Sequence, residues 1–303
     1  MKKIIYKIII VIFVILVTII ALIPINKNYK SVTWMKQLDD KTLVNEMVIP
    51  GSHDSGAMHS IFDVAGKCQD LSIKSQLKIG VRFLDIRLRL KNNELEVVHS
   101  FVEQKISFKS VLEDISYYIS NNKSEFLIIS IKQDEDPINS TIDFDEKVIN
   151  DLSKYNSIVF YNFLPKTLGE ARGKIYILNR FTNKEVGMPA YSDWLDSTTF
   201  DLDNLYVQDN YCVNDFETKK NDIINAFNYS SGERHKIVLN FTSCYLDNAF
   251  PPSYAGTIAK DVNKWLNKYL DENEISSGII IMDFVTEELV KKVYMENNYE
   301  TNN

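Results

Sequence analysis

Phe126-Leu127-Ile128-Ile129-Ser130-Ile131-Lys132 is an apolar, β-branched run that closes on a charge. So little polar alternation is what a strand buried on both faces of a parallel sheet requires. Runs of the same kind recur on both sides of it, at residues 47–50, 81–90, 95–99, 174–179, 205–208, 237–241 and 278–282. Amphipathic stretches at 108–119, 144–152, 222–227, 258–270 and 287–294 separate them. Strand and helix in alternation predict an α/β fold. Polar, irregular segments at 137–141 and 181–203 read as loops, and neither has the character of an interdomain linker.

The residues where the apolar runs stop point to a barrel. His53 and Asp54 follow the first run, Asp85 and Arg87 lie late in the second, and His99 closes its neighbour. Lys132 and Arg180 end the next two, Asp209 and Tyr211 follow Val207, and Asp283 follows Met282. Charge gathered at the carboxyl ends of many strands is the pattern of a barrel active site. A doubly wound sheet would also carry function at strand ends, usually with a glycine-rich phosphate loop. No GxGxxG or GxxxxGK[ST] occurs, so nucleotide binding lacks support.

The remaining composition narrows the function. The chain has 303 residues, 45% hydrophobic and 25% charged, enough for a large core. A net charge of −7 argues against nucleic acid and against electrostatic adhesion to an anionic membrane, leaving local apolar contact with lipid. Cys68, Cys212 and Cys244 are too few for a disulfide framework and lack metal-ligand spacing, so isolated thiols are expected. Lys2, Lys3 and Lys7 precede an apolar run from Ile8 to Ile23. That run marks an exported chain, with an uncleaved anchor over residues 4–23 favoured over a cleaved signal.

Four histidines are present. His53 sits in the turn Pro50-Gly51-Ser52-His53-Asp54-Ser55-Gly56, and His99 ends an apolar run. Two histidines on one rim, with Asp and Arg companions, suit a base and acid pair because imidazole titrates near neutral pH. His59 and His235 read as bystanders.

The ordered words of the chain carry a resemblance. Trp34-Met35 leads to Val48-Ile49-Pro50-Gly51-Ser52-His53-Asp54-Ser55-Gly56, then to Gln76-Leu77, Gly80-Val81-Arg82-Phe83-Leu84-Asp85-Ile86-Arg87 and Val97-Val98-His99. Ile129-Ser130-Ile131-Lys132, Ala171-Arg172-Gly173-Lys174, Arg180, Val207-Gln208-Asp209-Asn210-Tyr211, Asn240-Phe241-Thr242-Ser243 and Met282-Asp283-Phe284 follow. From about Trp34 to Tyr294 this succession resembles the X region of bacterial phosphatidylinositol-specific phospholipases C.

The resemblance implies a distorted, partly open TIM-type barrel over residues 31–303, with residues 1–30 as the anchor or signal. It implies cleavage of membrane phosphatidylinositol to diacylglycerol and inositol 1,2-cyclic phosphate by a monomer without cofactor, with glycosylphosphatidylinositol anchors as further substrates. His53 resembles the general base on the inositol 2-hydroxyl, and Asp283 the carboxylate that orients it. His99 resembles the general acid to the diacylglycerol oxygen, with Asp54 as its partner, and Arg87 the cation that neutralises the phosphoryl oxygen. Asp85 matches a carboxylate that braces the cations. Lys132, Arg180 and Asp209 match residues that bind inositol hydroxyls, and Tyr211 an aromatic against the ring. Arg87 stands where calcium-using relatives hold their ion, which implies an enzyme without metal.

There are departures. Ser100 follows His99 where Gly is common, and Ser52 replaces Thr. Residues 61–65 are poorer in Trp than the interfacial helix of secreted relatives, whereas Phe250-Pro251-Pro252 keeps an apolar tip in the later rim loop. Two other readings stay open: a glycerophosphodiester phosphodiesterase, which would need a metal held by acidic residues near the first histidine, and a silent inositol-lipid-binding module.

Overall fold

A computed structural model describes residues 29–60, 66–232, 236–247 and 255–297. From Ser31 onward the chain forms one unit. The expected anchor, residues 61–65, His235 and the tip at Phe250 lie outside the described residues. Among the described residues no helix is long and apolar enough to cross a membrane.

The apolar runs form the sheet. Its strands are β1 (Val48–Ser52), β2 (Phe83–Lys91), β3 (Glu94–His99), β4 (Val102–Ser107), β5 (Leu127–Gln133), β6 (Val159–Phe160) and β7 (Ile175–Arg180), followed by β8 (Met188–Pro189), β9 (Thr199–Leu202), β10 (Leu205–Gln208), β12 (Ile237–Phe241) and β14 (Gly278–Met282). The short pair β11 (Cys212–Val213) and β13 (Tyr245–Leu246) stands apart as a two-stranded parallel ladder. In space the main sheet runs β6-β7-β5-β2-β1-β14-β12-β10-β9. Parallel ladders join its consecutive members except at β9, which runs antiparallel to β10. Among the described residues no ladder links β9 back to β6, so the curled sheet is a distorted, partly open TIM-type barrel. β2 is longer than its neighbours, and beyond its parallel stretch it turns outward into an antiparallel β2-β3-β4 ribbon.

Helices cover the outside, each with one apolar face inward: α1 (Ile73–Ile79), α2 (Phe108–Asn121), α3 (Phe144–Ser153), α4 (Leu168–Ala171), α5 (Phe216–Gly232), α6 (Ala255–Glu272) and α7 (Glu287–Met295). In α2 the buried residues Phe108, Val111, Leu112, Ile115, Tyr118 and Ile119 recur at helical spacing, and the Ser107 side chain caps its start by accepting from Ser110 N. α1 stops at Gly80, whose φ of 118° is left-handed, and Tyr294 lies 3.0 Å from where a side chain would begin.

Register sets the height of each charged residue. Ser52 pairs with Met282 on one side and Leu84 on the other, so His53, Asp283 and Asp85 emerge one residue above that level. Two residues higher, Arg87 pairs with Lys132 and Lys132 with Arg180, which sets three cations side by side on β2, β5 and β7. Like charges directly opposite on neighbouring strands repel, so acidic neighbours must hold this row. At the other end of β2, Arg82 is wholly buried. It bonds Glu125 Oε2, the carbonyls of Leu77, Val81 and Val32, and the Tyr118 hydroxyl. A buried charge satisfied so fully is structural, which separates Arg82 from Arg87 five residues on.

Candidate active site

A cleft of about 800 Å³ opens at the carboxyl ends of the strands, and His53, Arg87, His99, Lys132, Arg180, Asp209, Tyr211 and Asp283 all line it. The turn after β1 is latched before any of them meets a ligand. Ser55 N donates to Asp85 O at 2.8 Å, Asp85 N donates to Ser55 Oγ at 2.8 Å, and Ser52 and Ser55 share a hydrogen bond at 2.6 Å. Asp54 is held in the left-handed region at φ 42°, a conformation that Asp tolerates better than most residues.

His53 lies at the bottom, its side chain 12% exposed. Its Nδ1 stands 2.8 Å from Asp283 Oδ1, and its Nε2 2.8 Å from Arg87 Nη2. A guanidinium has no acceptor, so this contact makes Nε2 the accepting nitrogen and puts the ring proton on Nδ1, donated to Asp283. That tautomer puts the basic lone pair on Nε2, where it accepts from Arg87 and a substrate hydroxyl must take that donor's place. Burial works against protonation of His53, but the Asp283 carboxylate outweighs it against the opposition of Arg87, and its pKa is raised above the usual imidazole value.

Asp54 stands between the two histidines. Its Oδ2 is 3.3 Å from Arg87 Nη1, 3.5 Å from His99 Nε2 and 3.6 Å from His53 Nε2. Burial pushes its carboxyl above the usual range, with Arg87 and both histidines pulling the other way. Asp85 accepts from Arg87 Nε at 3.1 Å and from Ser130 Oγ at 3.2 Å, and its Oδ1 faces Arg180 Nη1 at 3.5 Å. Burial opposes its ionisation, and Arg87 and Arg180 overcome that, holding it well below the usual carboxylate range. In return Asp54 and Asp85 raise the already high pKa of buried Arg87. The guanidinium is a fixed charge.

The far wall holds the other expected residues. Lys132 Nζ donates to Asp134 Oδ1 at 2.8 Å. The Arg180 guanidinium lies 3.6 Å from the centre of the Trp194 ring, and Trp194 Nε1 donates to Asp209 Oδ2 at 3.0 Å. Tyr211 OH donates to Asp196 Oδ1 at 2.5 Å, and its ring stands 5.9 Å from that of Tyr245. His59 is exposed and is not among the residues that line the cleft. Cys212 and Cys244 are free thiols.

Several residues at the site had no mark in the sequence. Asp134 accepts from both Lys132 and Ser100 N, the latter at 2.8 Å, which ties the His99-bearing hairpin to β5. Arg87 and Lys132 overcome the effect of burial and bring its carboxyl down to about 2. Gln69 is fully buried and donates to His53 O at 2.7 Å and to Met282 O at 2.9 Å, clamping base and carboxylate to one frame. Trp194 comes from the loop read as merely irregular, which also contains β8 and β9. Cys68 Sγ lies 3.9 Å from His99 Nδ1. A strand-end charge is visible as a break in an apolar run, but a buried Gln or a loop Trp is not.

Similarity to known proteins follows the same outline. The family model for the phosphatidylinositol-specific phospholipase C X domain matches residues 44–180. A Staphylococcus aureus 1-phosphatidylinositol phosphodiesterase is 30% identical over 277 residues, 83% of this chain and 87% of that one. A Listeria monocytogenes enzyme of the same name is 26% identical over 289 residues, 91% of this chain and 88% of its own. The fold superposes on a double mutant of the S. aureus phosphatidylinositol-specific phospholipase C with a TM-score of 0.80 at 27% identity, covering 88% of this chain and 97% of that one. Against the L. monocytogenes enzyme the TM-score is 0.70 at 25% identity, covering 88% and 98%. With 30% identity sustained over most of the staphylococcal enzyme, and the same barrel beneath it, the chain belongs to the phosphatidylinositol-specific phospholipase C family.

Proposed function

We propose that the protein is a phosphatidylinositol phosphodiesterase that releases diacylglycerol and inositol 1,2-cyclic phosphate without a metal ion. The observation that carries this is the arrangement around Asp54: two imidazoles face one buried carboxylate from either side, and a guanidinium lies against both that carboxylate and His53. A phosphate entering between them would meet Arg87, which neutralises charge growing on a phosphoryl oxygen. His53 Nε2 takes the proton of the inositol 2-hydroxyl, and Asp283 stabilises the imidazolium formed. His99 gives its proton to the departing diacylglycerol oxygen. The attacking hydroxyl belongs to the substrate itself, so attack on phosphorus is intramolecular and already oriented.

The cation row and the wall of Arg180, Trp194 and Asp209 fit the inositol hydroxyls, with Tyr211 beside them. Polar groups arranged to bond hydroxyls are left unpaired by analogues that lack them. Arg87 takes the position at which a calcium ion would balance the phosphate, and Asp85 is spent in bracing Arg87 and Arg180. Residues 31–303 form the catalytic unit in this reading, with residues 1–30 as a membrane anchor or signal segment. The silent-module reading loses support because both histidines, Arg87 and Asp283 converge on one cleft. The glycerophosphodiesterase reading loses support because that enzyme needs a metal beside the first histidine, and here the guanidinium of Arg87 lies 2.8 Å from His53 Nε2.

The test is substrate choice. Phosphatidylcholine has no hydroxyl beside its phosphate ester, and in 2-O-alkyl phosphatidylinositol that hydroxyl is blocked, so both stay uncleaved while phosphatidylinositol is turned over. Cleavage of either at a comparable rate removes the 2-hydroxyl from the mechanism and overturns the role given to His53.

A further inference from the structure

Cys68 has no part in the chemistry described above, yet it lies among the groups that do. Its thiol is fully buried, and Sγ stands 3.9 Å from His99 Nδ1. Cys68 Sγ, a nitrogen of His99 and a carboxylate oxygen of Asp54 all lie within 4.8 Å of one another. Cys68 also forms a second such triple with His53 and Asp283. Here two buried carboxylate oxygens, Asp54 Oδ2 and Asp283 Oδ2, lack a directed hydrogen bond in this cleft, and their residues are 1% and 2% exposed.

We propose that Cys68, His99 and Asp54 form a binding site for a thiophilic divalent cation such as Zn²⁺, whose occupation shuts the enzyme off. Thiolate, imidazole and a single carboxylate are a zinc-type donor set, whereas Ca²⁺ and Mg²⁺ require a shell of oxygens. Metal–ligand bonds of about 2.0–2.3 Å in a tetrahedron place ligand atoms roughly 3.3–3.8 Å apart. Asp54 Oδ2 and His99 Nε2 are already 3.5 Å apart. Cys68 and Asp54 face opposite nitrogens of His99, so the site requires this 26% exposed side chain to turn until one nitrogen meets both. Cys68 and His99 both line the cleft, which leaves room there for a fourth ligand such as water.

Arg87 weighs against a cation here, but it is outnumbered. Asp134, Glu135, Asp196, Asp209 and Asp283 line the cleft against Lys67, Arg87, Lys132 and Arg180, and Asp54 and Asp85 lie buried beneath, so a divalent ion enters a site of net negative charge. Coordination converts the thiol to thiolate, and its proton leaves to solvent. An ion bound to His99 occupies the lone pair that must carry the catalytic proton. That consequence rests on the general-acid reading of His99, whereas the binding does not.

The experiment uses the full chain in two measurements. The first follows Zn²⁺ inhibition of phosphatidylinositol turnover in wild type and in Cys68→Ala, each relative to its own metal-free rate, with Ca²⁺ and Mg²⁺ as controls. The second follows the ultraviolet thiolate-to-metal absorption with Cd²⁺ in wild type, in Cys68→Ala and in a Cys212→Ser, Cys244→Ser double variant. Wild type should be inhibited by Zn²⁺, reversibly by chelation, and not by Ca²⁺ or Mg²⁺. Losing a ligand should weaken binding at least as much as losing an outer-shell partner, about 10- to 100-fold. The Cd²⁺ band should persist in the double variant and vanish in Cys68→Ala. Equal inhibition of wild type and Cys68→Ala, or no Cd²⁺ band in the wild type, overturns the site. A Cys68-dependent band with undiminished turnover upholds the site and overturns the acid role of His99.

Discussion

Replacing Asp283 by Asn keeps the shape of the site and removes the charge that faces the base. Asp283 Oδ1 is 2.8 Å from His53 Nδ1, and both residues are shielded from solvent. At an effective dielectric constant of about 20, unit charges so close attract by at most roughly 6 kcal/mol. That attraction matters only after His53 has taken the substrate's proton, so it lowers the barrier and leaves the ground state largely alone. The amide oxygen of Asn still accepts the same N–H, which recovers about 1 kcal/mol. The remaining difference corresponds to a fall of about 10³- to 10⁴-fold in kcat/KM, close to the effect of the same change in a serine protease triad. A second signature has a definite sign. Asp283 raises the pKa of His53 against burial and Arg87, which lower it. In the variant the pKa falls, and the acidic limb of kcat/KM moves to lower pH. A pH–rate profile with a synthetic inositol phosphate diester measures both effects. A loss below tenfold with an unmoved limb would refute the pairing of Asp283 with a catalytic base.

Three further outcomes follow from neighbouring residues. His99→Ala should cost about 10²- to 10⁴-fold on phosphatidylinositol but far less on a nitrophenyl inositol phosphate, whose leaving group needs little protonation; equal losses would make His99 structural. Arg87→Lys should cost about 10²- to 10³-fold in kcat, because an ammonium cannot hold Asp85, Asp54 and a phosphoryl oxygen together in one plane; near-wild-type turnover would remove Arg87 from charge stabilisation. Ser100→Gly should raise stability in denaturant unfolding by less than about 1 kcal/mol, since Ser100 holds φ 49° without a glycine's freedom; a destabilised variant would mean that its side chain contributes more than its backbone bond to Asp134.

The barrel and most of its rim were legible in the sequence for one reason. A strand buried on both faces must be apolar, so a charge that interrupts it marks the place where burial ends. His53, Asp85, Arg87, Lys132, Arg180 and Asp283 were all visible in this way. The reading fails where burial and polarity coincide. Gln69 is as buried as any leucine, and what explains it is the backbone it meets: the carbonyls of His53 and Met282 and the amide of Val285. Asp134 follows Lys132 by two residues, but its bond to Ser100 depends on a hairpin that local patterning does not place. Trp194 belongs to a segment with no periodicity, and its role comes from stacking on Arg180 and bonding Asp209, contacts set by the closure of distant strands. Val102–Ser107 was missed as a strand because its outward residues are charged or polar and only Val102 and Gln104 are buried. The resemblance to a known family supplied the roles of the rim residues, which strand-end charge alone does not assign.

The most direct test of the account is to follow phosphorus in phosphatidylinositol as the full-length enzyme turns it over in excess EDTA. The signal of the diester should be replaced by that of inositol 1,2-cyclic phosphate, with diacylglycerol in equal amount and an undiminished rate. Inositol 1-phosphate as the first product would mean that water, and not the 2-hydroxyl, attacks phosphorus. A rate abolished by EDTA and restored by Ca²⁺ would mean that a metal ion, and not Arg87, neutralises the transition state.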